Sequence, residues 1–440
     1  VRFSLEKTAN TLLVVSYCGL ALFVPFSISG ANVAIMLGFL GVLISIFAVP
    51  SARARFAAMK YDPLVGASVL LVLSALPSVL LSEDQRRAWG DWKSYWLLLI
   101  YFYVAYGLWS HRTRRAAYWI LFGSATISCL VALAQYAGGL DFLFVHIHGE
   151  PRPSSTLFIM TFAGILCQLV TVNFSVLFHR GRFSRLETLM TGGIILQLIG
   201  LLLTHTRGAW LALAGGLGVA TVLLRKRACF VVAAVLALVV VVFAASDSGV
   251  REKVFSIPRT IHGPTDVNVS TRFVLWDVSW ELIKRHPLLG IGMGDFSIEA
   301  EKLVDGRHTE TVTDAHNIFL QVLTTRGLVG FIPFVFFWLV LLRSLWRARS
   351  HPPDRRGSAG AGLGTYFVNG VFAAAVALLI GALSENNIDD SEVFIAFMFL
   401  LGMAKSYSLY PEPYEATTGP AAASANESKP ARTRPLRTSR

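Results

Sequence analysis

The sequence predicts an all-α integral membrane protein, on three grounds. Composition comes first: 54% of the 440 residues are hydrophobic and only 15% charged, where a soluble domain carries about 25% charged residues. The mean hydropathy is +0.57. The second ground is the recurrence of long apolar runs joined by short polar links, near the roughly 20 residues a helix needs to cross hydrocarbon. The third is chemical: lipid offers no water to backbone groups, so each run must satisfy its own N–H and C=O groups as a helix. A disordered chain, a collagen-like chain and an ordinary soluble enzyme are excluded. The net charge of +12 leaves nucleic acid, anionic lipid and membrane topology open at this point.

Twelve spans are expected. The first two cover about 11–29 and 31–49, and the basic stretch 51–60 follows. The third and fourth cover 64–81 and 94–110, the fifth 116–138. The sixth, 156–178, precedes the basic stretch 179–185. The seventh and eighth, 188–204 and 208–224, form a tight hairpin around His205, Thr206 and Arg207, and Arg225, Lys226 and Arg227 come next. The ninth covers 228–245. A polar stretch, 246–326, precedes the tenth, eleventh and twelfth spans at 327–346, 362–383 and 391–404. The organisation is therefore 1–245 as spans one to nine, 246–326 as a large loop, 327–404 as the last three spans, and 405–440 as a disordered tail rich in Pro, Ala, Ser and Thr. The first run reads as an uncleaved span, because no small-residue cleavage site follows it.

Orientation follows from the excess of Lys and Arg in cytoplasmic links. With the N-terminus inside, 25 of the 39 basic residues lie on the cytoplasmic side, which also receives the C-terminus. The basic balance then becomes mainly an orientation signal, and a nucleic-acid partner is unnecessary. Five cations in short outer loops run against this bias: Arg86, Arg87 and Lys93 before span four, Arg152 before span six, and Arg207 at the hairpin.

The 246–326 stretch exceeds the usual 12–15 residue limit for a plain connection. One helix is expected over 271–286, with Ser270 as N-cap, Pro287 as stop, and Phe273, Trp276, Trp280 and Ile283 on an apolar face. Arg272 sits in its first turn, where free N–H groups and a guanidinium suit a phosphate. A surface arginine on an amphipathic helix is the plainer alternative. A second helix is expected over 315–326, capped by Thr313 or Asp314 and stopped by Gly327. It carries His316 and Asn317 in its first turn, where the positive helix end favours a neutral imidazole fit for a general base. An ordinary capping histidine is the alternative. Arg207 reads as either a site residue or a snorkelling arginine at the membrane edge.

Other patterns carry less. His146, His148 and Glu150 alternate as metal ligands can, without a further ligand cluster. The run Gly290-Ile291-Gly292-Met293-Gly294 lacks the strand-turn-helix context of a phosphate loop and reads as a flexible turn. Cys18, Cys129, Cys167 and Cys229 lie within apolar runs and read as small core residues.

Three segments carry a family resemblance. Thr204-His205-Thr206-Arg207-Gly208-Ala209-Trp210 resembles the T-x-S/T-R-G-A segment of the O-antigen ligase and polymerase superfamily. Arg272 with Trp276, then Pro287-Leu288-Leu289-Gly290-Ile291-Gly292, resembles its R-x-x-x-W helix and P-x-x-G-x-G turn. Ala315-His316-Asn317-Ile318-Phe319-Leu320, ending in Gly327, resembles its H-N-x-(Y/F)-L helix. Their order, spacing and common outer face make the match specific, and the layout extends it over nearly all of the chain except the tail. Two departures stand out: Thr325-Arg326 where an acidic residue often precedes the glycine, and Arg152-Pro153-Ser154-Ser155-Thr156-Leu157-Phe158 without the glycine of R-x-x-G-x-F.

The resemblance implies a GT-C type glycosyltransferase with a periplasmic active site in the bacterial inner membrane. The donor would be a polysaccharide on undecaprenyl diphosphate and the acceptor a sugar hydroxyl of lipid A–core oligosaccharide, joined without ATP, metal or other cofactor. Without a metal, cationic side chains must meet the charge that grows on the diphosphate. Arg207 and Arg272 are expected there, with Arg152 as a third, and His316 as the base. Arg86, Trp89 and Lys93 are expected to line the same cavity. The alternatives are an O-antigen polymerase, a protein O-oligosaccharyltransferase, and, from another class, a lipid-linked glycan flippase. A flippase would place ionisable residues within the spans.

Overall fold

The computed structural model describes residues 2–138, 145–147, 150–178, 184–224, 267–304, 312–350 and 363–410. Nine helices among them are long and apolar enough to cross a membrane. These are α2 (Ile28–Ala48), α4 (Pro63–Leu81), α7 (His111–Tyr136), α8 (Ile159–Leu177), α9 (Arg185–Leu203), α10 (Arg207–Leu224), α13 (Ile318–Ser350), α14 (Leu363–Gly381) and α15 (Ser391–Leu409). Around them lie α1 (Arg2–Phe23), α3 (Pro50–Ala57), α5 (Gln85–Lys93), α6 (Leu98–Gly107), α11 (Val267–Arg285) and α12 (Phe296–Val304). The expected ninth span, 228–245, falls outside the described residues, as do 179–183 and 411–440.

The all-helical expectation needs one amendment. Strands β1 (Val145–Ile147) and β2 (Glu150–Arg152) form a small antiparallel hairpin. The fourth span also departs from expectation. A 3-10 turn over Ser94–Leu97 leads into α6, which has only ten residues, about 15 Å of helix and half the hydrocarbon thickness. Every residue of α6 except Leu99 is buried, as expected of a helix that is apolar nearly all round. The last span runs five residues past its expected end, so 405–409 belong to a helix and not to a tail.

Helix α8 sits at the centre and is buried along nearly its whole length. Its polar residues are met by its neighbours: the Gln168 amide donates to the Val393 carbonyl at 3.2 Å, and the Asn173 amide to Gln197 at 2.9 Å. Such contacts bind helices where the lipid is as apolar as leucine. The loop before α8 is fixed the same way. Gln135 Oε1 accepts from the backbone N–H groups of Ser154 and Ser155.

A clasp of backbone contacts positions the site. Helix α13 contains a break at Gly327 (φ 56°, ψ −165°). The helix expected to end there and the tenth span therefore abut at one residue. The segment after α11 docks on this break: Ile291 and Gly292 N–H donate to Thr324 and Thr325 carbonyls, and Leu328 and Val329 N–H to Pro287 and Leu288 carbonyls. Gly290 (φ 72°) and Gly327 approach so closely that a Cβ on either would overlap the other segment's backbone. The expected flexible turn is thus a pinned one. Asp295 completes the clasp by accepting from Ser82 Oγ at 2.6 Å and from the N–H groups of Glu83 and Asp84.

The apolar face of α11 is corrected in part: Ile283 is buried and Trp276 half-buried, as expected. Leu275, Val278 and Leu282 are the buried stripe, packed on Phe296, Ala300 and Val304 of α12 and on Ala315. Phe273 and Trp280 are exposed. The helix begins at Val267 and ends at Arg285, so Ser270 lies within it and does not cap it.

Candidate active site

Four segments meet at one buried carboxylate. The first is the hairpin between α9 and α10. Thr204 Oγ1 donates to the Leu201 carbonyl and accepts from Thr206 N–H, while Trp210 Nε1 donates to the Leu201 carbonyl. These bonds close a turn in which His205 takes φ 54°, and they set Arg207 at the start of α10. Gly208, the next residue, lies directly against the link between α14 and α15. A Cβ there would stand 2.8 Å from Ser384 Oγ and 3.5 Å from Glu385 Cγ.

The second segment is α11, whose Arg272 donates through Nη2 to Glu385 Oε1 in an ion pair. Glu385 is 7% exposed and Arg272 25%. Burial raises the Glu385 pKa above its ordinary 4.5, and the nearby Arg272 and His316 work against that rise. Each effect has the expected sign: an apolar surround disfavours the charged form, and adjacent cations favour it.

The third segment carries His316. Its backbone takes φ 47° and its N–H donates to Asp314 Oδ1 at 2.7 Å. Asn317 is the helix cap: its Oδ1 accepts from Phe319 and Leu320 N–H. The expected cap at Thr313 or Asp314 is therefore corrected, and His316 stands before the helix and not in its first turn. The His316 ring is 31% exposed, with Nδ1 3.6 Å from Asp314 Oδ1 and 3.9 Å from Glu385 Oε2. Both separations exceed a hydrogen bond, and both put negative charge where an imidazolium would form.

The fourth segment is the 382–390 link itself. Ile318 N–H donates to the Ala382 carbonyl at 3.0 Å, joining this link to the His316 segment. Trp276 Nε1 donates to the Ala315 carbonyl at 3.1 Å, joining α11 to the same segment. At the other end, Asp390 caps α15 and accepts from Thr161 Oγ1 of α8.

Arg272 and His316 are thus brought together at Glu385, and Arg207 starts α10 next to Gly208, which packs on the same link. Arg86, Trp89 and Lys93 are not brought there: they lie on the exposed side of α5, and Trp89 packs on Trp92. The cavity beside the site, of about 240 Å³, is lined from that helix by Arg87 and Asp91 instead. The backbone of Arg152 pairs with Val145 across the hairpin, and its side chain lies outside the described residues. The same holds for His146 and Glu150, and His148 is outside altogether.

Glu385 is the residue that sequence reasoning passed over. A search for cations against the charge bias cannot find a carboxylate. The signal was present in Ser384-Glu385-Asn386-Asn387-Ile388-Asp389-Asp390, an acidic link between two long apolar runs.

The fold and site define a multi-span membrane protein with two arginines and a histidine gathered at one end of the helices. Residues 192–335 match the family model described as O-antigen ligase, the superfamily that the motifs resemble. That segment contains Arg207, Arg272 and His316 and stops short of Glu385. No curated protein matches the chain.

Proposed function

We propose that the protein is an O-antigen ligase acting at the periplasmic face of the bacterial inner membrane, with both termini cytoplasmic. The family match supports a general role in O-antigen ligation or polymerisation and implies lipid-linked glycan substrates. The observation that carries the finer reading is the pairing of Arg272 with Glu385 beside His316, with the turn of Arg207 and Gly208 packed on the same link.

In this reading the donor's diphosphate lies between Arg207 and Arg272. Guanidinium groups match phosphate oxygens with paired N–H donors and stay charged at any working pH. The acceptor hydroxyl oxygen attacks the anomeric carbon as the bond from that carbon to the diphosphate breaks. The hydroxyl proton passes to His316, and undecaprenyl diphosphate leaves with the bonding electrons. One displacement inverts the anomeric centre. As charge grows on the leaving group, Arg272 shifts from Glu385 toward phosphate, and Glu385 turns to the imidazolium forming beside it. The lipid diphosphate is already an activated leaving group, so neither ATP nor a metal enters the step.

A flippase is disfavoured by the distribution of charge. Among the described residues, Asp, Glu, Lys, Arg and His lie near the ends of the spanning helices and not at their middles, where a transport path would need them.

The test offers protein in nanodiscs a defined undecaprenyl-diphosphate glycan with lipid A–core, with a second lipid-linked glycan, or with a peptide, in chelator and without ATP. Conjugation to lipid A–core supports the ligase. Extension of the lipid-linked glycan alone would make the protein a polymerase. Modification of the peptide alone would make it a protein transferase, and no product with any acceptor removes the transferase reading.

A further inference from the structure

A buried cation near the site remains outside the mechanism. Arg326, the last residue before the break in α13, is 7% exposed. It donates through Nη1 to Tyr95 Oη and lies over the Tyr95 ring at 5.6 Å. Its Nε is buried without a hydrogen-bond partner among the described residues. A guanidinium carries five N–H donors, and leaving one unmet away from water costs about 1–3 kcal/mol. The group lines the 240 Å³ cavity, so a ligand there can supply the missing acceptor.

The cavity has the chemistry of a sugar site. Arg326 and Gln321 offer donors, Asp314 and Asp389 offer acceptors, and Tyr95 and Trp338 add aromatic surface. Carboxylates on the wall oppose a polyanion such as a diphosphate. A neutral ring with neighbouring hydroxyls satisfies both sets at once, since each hydroxyl donates to a carboxylate and accepts from an amide or guanidinium. The volume lies below the roughly 300–1,000 Å³ of drug-sized pockets, which suits a single ring and excludes a long isoprenoid.

Its position assigns the ring. Asp314 lines the cavity and also stands 3.6 Å from His316 Nδ1. Arg207, Arg272 and Glu385 do not line it. We infer that this cavity is the subsite for the acceptor's attacked sugar, with Arg326 and Tyr95 as specificity-determining contacts and His316 between it and the diphosphate. The inference rests on the transferase reading for the sugar's role, while the saccharide site itself can be tested without turnover.

Two measurements separate the two claims. Delipidated core oligosaccharide is titrated into full-length protein without donor, and binding is read by saturation-transfer NMR. Initial rates are then measured against each substrate. The expected result is binding to the wild type that is lost in Arg326→Gln, with an acceptor KM raised at least tenfold, a donor KM within twofold, and kcat lowered by no more than threefold. Absence of oligosaccharide binding by the wild type overturns the subsite. So does a rise confined to the donor KM, or no change in either KM. If oligosaccharide binds in an Arg326-dependent way but nothing is transferred, the saccharide site stands and the transferase reading falls. Should Arg326→Gln fail to fold, Asp389→Asn carries the same test, since its side chain is exposed.

Discussion

His316 and Glu385 form an unequal pair: the ring is partly open to solvent, the carboxylate almost wholly buried. Removing the ring in His316→Ala is expected to lower kcat by about 10²- to 10⁴-fold, the usual worth of a positioned base. A wild-type rate in single-turnover assays would remove the assignment. Glu385 predicts a pH effect. Its raised pKa means that acidification neutralises it earlier than an exposed glutamate. The acid limb of kcat should therefore include a component above the ordinary 4.5, and Glu385→Gln should remove that component and lower the rate. For stability the sign reverses. The folded state binds this proton more tightly than the unfolded chain. Its contribution is therefore fully present below the unfolded pKa and fades as pH rises through the folded one. Arg207, Arg272 and His316 were legible in the sequence because each sits in a local motif. Glu385 was not, since its partner lies 113 positions away and no local pattern records that distance.

Among the elements, the break in α13 is the most demanding. Gly327 combines φ 56° with a backbone approach that leaves no room for a Cβ. Gly327→Ala is expected to destabilise the protein by at least about 2 kcal/mol, adding steric overlap to the roughly 1–3 kcal/mol of a strained backbone. Thermal melting in nanodiscs would check this, and an unchanged Tm would show that the clasp yields. Helix stops were readable where one residue enforces them, as Gly327 and Pro287 do. The buried stripe of α11 was not. Phe273, Trp276, Trp280 and Ile283 fit a helical face as well as Leu275, Val278 and Leu282 do, and only the position of α12 decides between them. The short α6 was hidden for a related reason, because periodicity cannot separate a helix that crosses lipid from one wrapped in protein.

At the scale of the whole molecule, eleven of the twelve expected spans overlap helices among the described residues, and nine of these helices are long and apolar enough to cross a membrane. Apolar length is a direct physical requirement of the bilayer, and a single sequence records it. Charge was read more coarsely. Arg114, one of the 25 basic residues that the expected topology puts on the cytoplasmic side, is wholly buried: it donates to the carbonyls of Ser406 and Tyr410 and lies 4.7 Å from the Tyr407 ring, holding the C-terminal end of α15. Orientation itself yields a prediction. Thr313 is exposed beside the site, so Thr313→Cys, in a background lacking the native cysteines, should react with an impermeant maleimide once the outer membrane is opened. Labelling only after the inner membrane is lysed would invert the topology.

The Arg272–Glu385 pair also bears on transplanting the site. A chimera that carries residues 192–335 into a related scaffold would import both arginines and the histidine but leave their carboxylate behind. Unless the host supplies an acidic residue where the 382–390 link meets Gly208, the graft would hold Arg272 without the carboxylate it pairs with before substrate arrives.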